Sequence, residues 1–592
     1  MMPYPRFMGH GSAATNPHKI TSNDRRRIQW LAALIAAAAI LAFWRIMGGG
    51  FLIWDDAELI VRNPDLVSPD FGRLLHYWTD WHSRSSLYMP VTYVFWGIVS
   101  ALAQTTDSGG GYAGLNPAVF HAASLLLHVA SALLLFVLLL RLTRSTFPAF
   151  FGALLFAVHP VQVEAVAWAA EASTPLSTLF SIWAILEFSV FIDRRRGESP
   201  SIVPGGEWIE SSRSDGAWLH YSLGTLALIL ALLSKPSAVV VPFLVGVIEI
   251  IFRRRRIREV IAPLAGWLAL CVPIALIARI AQQTQFTVPL GERPMVAVDA
   301  VAFYLYKLAL PFELLPIYGR TPDWLFAHHA ALYATWIAPA SVVAIALIFR
   351  RRAPWVAGCA LLFLLGVSPV LGLHPFVFQR ISTTADRYLA LAMLGPAFLA
   401  ACLVPSRPRR PTLIALSVLA VALMGLTFRQ TYYWHDTSRL FSRVLEYHPE
   451  SAAAQQLMGD AYNFQSHNAE RRGDGAAAAR DLELAAARFR IAATLPYDGG
   501  VGDYNAGECL MRLHRFAQAA ECYEAALRDP YCLPGKLVVY RALGRCYQLL
   551  GQNEKAADCF RHVASVIGPG GAATGTSAAS RLQNFAPPPP SN

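Results

Sequence analysis

Two adjacent carboxylates, Asp55 and Asp56, follow directly after the first long apolar run of the chain. Neighbouring carboxylates at the edge of an apolar segment raise each other's pKa or attract a cation, so the pair could act as a general base or bind a metal ion. A solvated turn is the commoner role of an isolated Asp-Asp pair. The chemical interpretation therefore depends on whether other reactive groups lie on the same side of the protein.

Other polar groups that could support such chemistry lie in later loops between apolar runs. They are His159, Glu164, Lys235, Arg293, Tyr304 and Arg387. A Lys or Arg side chain can neutralise a leaving phosphate, and a carboxylate can take the proton of an acceptor hydroxyl. Carboxylates in the early loops and cations in the later ones together suit a lipid-linked sugar phosphate as substrate.

The composition indicates that most of these loops connect membrane-spanning helices. The chain has 592 residues, of which 55% are hydrophobic and 15% are charged, with a mean hydropathy of +0.39. Soluble proteins carry about 25% charged residues, so a soluble cytosolic enzyme, a collagen-like chain and a disordered chain are all excluded. The eight cysteines are too few for a disulfide scaffold in a chain of this length.

Apolar runs of near-spanning length predict about eleven transmembrane helices. They cover residues 30–47, 118–140, 147–160, 172–192, 219–234, 237–252, 260–280, 332–349, 354–372, 386–403 and 411–428. No signal-peptide cleavage site follows the first run, so we expect an uncleaved span. Two further apolar stretches, 88–104 and 296–318, contain Pro and interfacial aromatic residues and are predicted to lie on the outer membrane surface.

Clusters of arginine residues indicate which side of the membrane each loop between the predicted helices occupies. Threading eleven spans from a cytoplasmic N-terminal tail (1–27) places Arg141, Arg194–Arg196, Arg253–Arg256, Arg350–Arg352 and Arg407–Arg410 all in the cytoplasm. The formal charge of +11 is therefore mostly a consequence of topology, and it does not indicate nucleic-acid binding. Asp55, Asp56 and the other candidate residues then share the opposite, extracytoplasmic face.

The segment 431–568 has a different character, with helical periodicity and a repeated pattern of small and aromatic residues. Gly507 and Gly544 are each followed after 16 residues by an aromatic residue, namely Tyr523 and Phe560, and Gly459 is followed by Phe489 with an insertion around 466–479. The pattern resembles the tetratricopeptide repeat and predicts a short helical solenoid that binds a protein partner, with a rigid spacer as the alternative. The repeat-equivalent cysteines are predicted to be core residues, although a disulfide remains an alternative. The Gly-, Ala- and Pro-rich tail, 569–592, is predicted to be disordered.

Short motifs along more than 500 residues resemble those of one family. They are Asp55-Asp56 with Asn63-Pro64-Asp65, Tyr88-Met89-Pro90-Val91-Thr92, His121 and His128, His159-Pro160 with Glu164, Leu233-Ser234-Lys235, Phe303-Tyr304 with Lys307, and Asp386-Arg387-Tyr388. Their order is similar to that of the transmembrane and tetratricopeptide-repeat-containing protein O-mannosyltransferases and their bacterial relatives, which have the GT-C glycosyltransferase fold. The chain departs from that pattern at Met89 and Pro236.

The resemblance implies an all-α fold, in which residues 28–430 form a GT-C-type membrane domain. It implies transfer of mannose or a similar hexose from a polyprenyl-phosphate donor to protein Ser or Thr, with Asp55 or Asp56 as the base. Lys235, Arg293 and Arg387 would bind the donor phosphate, and His159, Glu164 and Tyr304 would shape the pocket. Nothing in the resemblance indicates a requirement for a metal ion or another cofactor, and the sequence leaves metal dependence open.

The Arg- and Ala-rich composition favours a bacterial inner membrane with the active site and the repeats in the periplasm. An endoplasmic reticulum membrane with a lumenal site would have the same sidedness. Two other functions fit the same features, namely sugar transfer to a lipid or glycan acceptor and a non-catalytic scaffold that assembles an envelope complex. A transporter is disfavoured because the ionisable residues cluster at one face rather than at mid-span.

Overall fold

The computed structural model describes residues 22–79, 87–105, 114–197, 216–281, 288–327, 334–496, 498–530, 532–533 and 535–567. These residues form helices, turns and one isolated bridge between Gln104 and Leu115, with no strand, so the predicted all-α class is confirmed. Most of the predicted N-terminal tail and all of the predicted tail 569–592 lie outside the described residues. Two compact units are present.

The first unit runs to Phe51 and includes the described residues from Leu59 to His435. Its α-helices are α1 (Ser22–Phe43), α2 (Pro64–Val67), α3 (Phe71–Leu75), α4 (Pro90–Leu102), α5 (Pro117–Thr143), α6 (Thr146–Val158), α7 (Val163–Ala167), α8 (Ser173–Arg195), α9 (Ala217–Ser234), α10 (Val241–Val247), α11 (Ile257–Ala281), α12 (Arg293–Ala309), α13 (Pro322–Ala327), α14 (Ile337–Phe349), α15 (Pro354–Val367), α16 (Leu394–Leu403) and α17 (Arg410–Gln430). Some of these helices begin at a start signal in the sequence. At α5, for example, the Asn116 side chain accepts a hydrogen bond from the Ala118 amide and Pro117 occupies the first helical position.

Six helical segments of this unit are long and apolar enough to cross a membrane. They are Asn23–Gly48, Pro117–Thr143, Ala169–Arg195, Ala217–Ser234, Ile257–Ala281 and Arg410–Gln430. A seventh is present if α6 and Pro160–Ala167, which meet at a bend of 50°, form one span. The chain is therefore a multi-pass membrane protein. The remaining apolar helices, such as α14 and α16, have only 10 to 17 residues, so the total of eleven spans stays a prediction.

Three arginine side chains bind Asp193 near the C-terminal end of α8. The Asp193 carboxylate accepts hydrogen bonds from Arg141 and Arg255, each at 2.8 Å, and also from Arg253. These arginines come from segments that the charge pattern predicts to lie on the same membrane side. The 23 residues of α8 span about 35 Å, close to the thickness of a bilayer core. A helix of this length is long enough to reach from one membrane face to the other.

The second unit contains Leu52–Glu58 and the described residues from Asp436 onward. Its α-helices are α18 (Thr437–Tyr447), α19 (Ala452–Arg471), α20 (Gly475–Ala493), α21 (Val501–Arg512), α22 (Phe516–Arg528), α23 (Lys536–Leu549) and α24 (Asn553–Ile567). Consecutive helices pack on each other around a continuous core that runs from α20 to α24. The insertion predicted around 466–479 lengthens α19 and α20 to 20 and 19 residues, compared with 12 and 13 in α21 and α22.

The repeated Gly and aromatic positions meet within each helix pair. A Cβ atom added at Gly459 would lie 2.6 Å from Phe489, one at Gly507 would lie 2.6 Å from Tyr523, and one at Gly544 would lie 2.9 Å from Phe560. Glycine is thus needed because the ring of the second helix lies directly against the backbone of the first. This packing supports the repeat alignment, and the assignment to the tetratricopeptide family remains a prediction.

Substituting Gly507 by Val is expected to destabilise the second unit by about 1–3 kcal/mol, because the new side chain must displace the Tyr523 ring from a close-packed core. The measurement is the free energy of unfolding of the full chain, followed by a signal from this unit. The matched control is Gly475→Ala at the start of α20, where nothing lies within 4 Å of an added Cβ atom. Equal unfolding free energies for the two variants would contradict the packing argument.

All eight cysteines are buried free thiols, five of them in the second unit. Burial raises the pKa of Cys509 to about 12 and that of Cys546 to about 11. Because the thiolate is the reactive form, we expect these thiols to resist a thiol-specific reagent in the folded chain and to react after denaturation. A mobility change of the untreated protein on reduction would instead indicate a disulfide.

Candidate active site

The predicted base, Asp55 or Asp56, lies in the segment Leu52–Glu58 of the second unit, which the charge pattern predicts to be the first outer loop. Asp56 is completely buried, and its carboxylate accepts a hydrogen bond from the Leu52 amide at 2.8 Å. The adjacent Ile53 amide donates to the Thr437 hydroxyl at 2.8 Å, which ties the loop to the start of α18. Asp55 is partly exposed. The two carboxylates therefore differ, since Asp56 shapes the turn while Asp55 is accessible.

Four charged side chains of the first unit form a continuous network. Arg387 binds Glu164 twice, since its guanidinium pairs with one carboxylate oxygen and its backbone amide donates to the other at 3.1 Å. On its other side, the Nε of Arg387 lies 3.6 Å from Oε2 of Glu171. Lys235 completes the chain through an ion pair with Oε1 of Glu171 and a hydrogen bond of 2.5 Å to the Thr174 hydroxyl.

Breaks in the apolar helices place these four residues together. Helix α6 ends at Val158, and the short helix α7 that follows carries Glu164. A single turn, Ala169–Ala172, then carries Glu171 before α8 begins. Lys235 has an extended backbone between α9 and Pro236, where proline disfavours continuation of the helix. Irregular backbone at membrane depth is tolerated only where protein buries it or a cavity adjoins it. The breaks therefore mark this region as a built site.

Aromatic rings surround the guanidinium of Arg387. Its central carbon lies 4.3 Å from the ring centre of Phe378, 4.8 Å from that of Tyr388 and 5.4 Å from that of Trp168. Cation–π contacts of this kind are strengthened where water is excluded. The rings therefore hold Arg387 in one orientation between the two carboxylates.

A second polar group lies beside this network, around the residue that precedes Arg387. The Tyr318 hydroxyl donates to Asp386 at 2.8 Å, and burial raises the pKa of Tyr318 well above its usual range, so it stays a donor. The Tyr304 hydroxyl accepts from the Ala385 amide at 3.4 Å. Lys307 donates to the carbonyl groups of Phe312 and Glu313 at 2.7 and 3.0 Å.

Sequence reasoning identified three of the four network residues. Glu164 pairs directly with Arg387, and Lys235 is joined to Arg387 through Glu171. The Tyr304 hydroxyl accepts a hydrogen bond from the amide of Ala385, two residues before Arg387. His159 and Arg293 make no contact with the network. The Nε2 of His159 donates to the Leu308 carbonyl at 3.2 Å, and the Nε of Arg293 donates to the Val288 carbonyl at 2.9 Å.

Glu171 and Asp386 were not among the predicted site residues. The sequence does contain a feature that could have identified Glu171. It is a carboxylate seven residues after Glu164, at the start of a long apolar helix, and an ionisable group at such a position is costly unless it is paired. In the part of the chain that the structure describes, no three His, Cys, Asp or Glu side chains are grouped as metal ligands.

Comparison with known proteins identifies relatives over part of the chain. It is 33% identical over 192 residues to the human protein O-mannosyl-transferase TMTC1, a match that covers 29% of this chain and 19% of the relative. Identity to human TMTC4 is 31% over 179 residues, covering 27% and 23% of the two chains. Identity to the protein O-mannosyl-transferase F38B6.6 of Caenorhabditis elegans is 30% over 189 residues, covering 30% and 25%.

The chain thus matches about a fifth to a quarter of the length of these curated relatives. No family model matches the sequence. No solved structure matches it either. The resemblance predicted from the motifs is confirmed over the matched part, where the chain is similar to the TMTC group of protein O-mannosyl-transferases.

Proposed function

We propose that this chain is a membrane glycosyltransferase that moves mannose or a similar hexose from a polyprenyl-phosphate-linked donor to Ser or Thr hydroxyls of extracytoplasmic proteins. The observation that carries the proposal is the buried network in which Glu171 joins Lys235 to Arg387. Two buried cations that share one carboxylate at the ends of membrane-capable helices are costly to maintain unless they have a function. The similarity to protein O-mannosyl-transferases supports the reaction class.

Lys235 and Arg387 serve in this proposal as the donor phosphate site. In the transition state the bond between the sugar and the phosphate breaks, and negative charge collects on the phosphate oxygens. Positioned cations in a water-excluded site stabilise such charge more strongly than water does. Arg387 adds planar N–H groups suited to phosphate, and Lys235 adds a mobile point charge. Tyr304, His159 and Arg293 are proposed as the outer residues of the donor pocket.

Asp55 is the proposed base that takes the proton from the acceptor hydroxyl. Its side chain is accessible, whereas that of Asp56 is buried against the Leu52 amide. We further propose that the repeats of the second unit recruit the protein acceptor and that site and repeats face the periplasm from a bacterial inner membrane. The endoplasmic reticulum with lumenal sidedness is the alternative location.

The test is a transfer assay with the purified full chain in lipid nanodiscs. The donor is a short-chain polyprenyl phosphate mannose, and the acceptors are a Ser/Thr-rich peptide, a lipid and a glycan. We expect labelled peptide with the parent chain and none with Lys235→Met. The matched control is Arg380→Gln, an exposed cation in the loop that precedes Arg387, which should keep parental activity.

Label in the lipid or glycan alone would favour the second enzymatic function. No transfer from any hexose donor, together with loss of cellular function on deletion of the repeats, would favour a scaffold. Equal activity of the Lys235→Met and parent chains would contradict the proposed phosphate site.

A further inference from the structure

The network around Glu171 is electrically balanced before a donor enters. Glu164 and Glu171 carry two negative charges, and Lys235 and Arg387 carry two positive charges. The side chains are nearly sealed from solvent, since Glu164 is 1% exposed, Arg387 8%, Glu171 12% and Lys235 14%.

A polyprenyl-phosphate sugar is a phosphodiester and brings one further negative charge. An uncompensated charge in a buried site is strongly unfavourable. Binding must therefore be accompanied by compensation of one negative charge, through a cation, through movement of a carboxylate into water, or through a proton. Each oxygen of Glu164 already accepts from Arg387, and Oε1 of Glu171 already accepts from Lys235 and Thr174. These contacts leave little room for a cation or for a swing of Glu164.

The ion pair between Oε2 of Glu171 and Nε of Arg387 is the longest of the network. The two atoms are 3.6 Å apart, beyond hydrogen-bond distance. Glu171 and Lys235 are also the most exposed members of the network. A phosphate oxygen between Lys235 and Arg387 would lie next to Oε2 and repel it. Protonation of Oε2 would replace this repulsion by a hydrogen bond to the phosphate.

The groups that surround Glu171 come from several elements. Charged or titratable side chains are contributed by α7 (Glu164), the end of α9 (Lys235), the turn Asp386–Leu389 (Asp386, Arg387 and Tyr388) and α5 (His121 and His128). The Nε2 of His128 donates to the Ala157 carbonyl at 2.9 Å, and His121 lies beside the backbone of Gly49. Neither histidine contacts a carboxylate of the network. The proton is therefore assigned to Glu171 rather than to a histidine.

We propose that binding of the phosphodiester donor is coupled to uptake of one proton from solvent by the Glu171 carboxylate. The inference rests on the proposed function, because it requires that the phosphate binds between Lys235 and Arg387. Glu171 acts in it as a positioning residue that keeps the two cations together while the site is empty. It then loses its charge when the phosphate replaces it as their partner.

Calorimetric titration of the full chain in nanodiscs tests the proton uptake directly. The probe is citronellyl phosphate mannose, a diester whose single charge does not change near neutral pH, unlike that of a monoester. Titrations at one pH in two buffers of different ionisation enthalpy give the number of protons taken up, which we expect to be close to one. The dissociation constant is expected to rise about tenfold per unit increase in pH. The variant Glu171→Gln, which is neutral at every pH, should bind the probe without proton uptake.

The control is Glu187→Gln on α8, the helix that follows Glu171. The Glu187 carboxylate pairs with His220 instead, and this variant should take up the same proton as the parent chain. Equal binding heats in both buffers for the parent chain would overturn the proton coupling and leave the proposed donor site standing. Full proton uptake by Glu171→Gln would overturn the assignment to Glu171. Absence of any binding heat in the parent chain would contradict the donor site and this inference with it.

Discussion

Replacement of Asp55 by Asn is expected to lower the rate of sugar transfer by about 10²- to 10⁴-fold, the range in which a positioned general base contributes. The amide keeps the shape of the side chain but cannot accept the proton of the acceptor hydroxyl. We expect the unfolding free energy to stay close to that of the parent chain, because Asp55 is partly exposed. The measurement is the transfer assay at saturating donor together with thermal unfolding of the same preparation.

Asp56→Asn is the matched comparison, since it makes the same chemical change one residue away. Asp56 is buried and accepts from the Leu52 amide at 2.8 Å. Its loss of charge is therefore expected to cost about 1–3 kcal/mol of stability, with activity falling only in proportion to the unfolded fraction. A stable but inactive Asp56→Asn chain, with full activity in Asp55→Asn, would transfer the role of base to Asp56.

Arg387→Gln is expected to have the largest effect on stability of any substitution considered, about 3–5 kcal/mol. The change leaves Glu164 and Glu171 with one cation between them in a region almost without water. It also removes the cation from between Phe378 and Tyr388. The measurement is the unfolding free energy of the full chain in detergent, with the exposed Arg380→Gln as the control expected to change by less than about 0.5 kcal/mol.

A double variant distinguishes the effect of Arg387 on the unfolding free energy from its effect on sugar transfer. Glu164→Gln combined with Arg387→Gln removes one charge of each sign, so we expect it to recover much of the stability that Arg387→Gln loses. It should nevertheless remain inactive, because the donor phosphate has lost its guanidinium partner. Recovery of both stability and activity would contradict a role of Arg387 in donor binding. No stability loss in the single variant would contradict the buried ion pair itself.

Hydropathy along the chain is sufficient to predict the all-α membrane class and the positions of most helices. The predicted segments 118–140, 172–192 and 411–428 correspond to α5, α8 and α17 with differences of a few residues at each end. This succeeds because a helix in lipid must satisfy its own backbone hydrogen bonds and expose apolar side chains. Both requirements are local in sequence.

The repeat pattern is predictable for a similar reason. Gly507 and Tyr523 lie on consecutive helices, so the spacing along the chain already indicates which ring needs which glycine. The boundaries are less predictable, because the insertion around 466–479 extends both α19 and α20 and contains the turn between them. Within that turn Gly473 has a positive φ of 75°, and the Asp474 side chain accepts a hydrogen bond from the Ala477 amide at the start of α20.

The charged network shows what depends on tertiary structure. The sequence contains every reactive residue type at an outer helix end, and from it Glu164, Lys235 and Arg387 can be selected as candidates. It cannot show that Glu171 joins the two cations, or that Asp55 and Asp56 differ in burial. Glu164 and Arg387 are 223 residues apart, and Lys235 and Glu171 are 64 apart. Their meeting is decided by where α6 and α9 break and how the broken ends pack, since burial makes each ionic partner necessary and only the packed helices determine which partner it is.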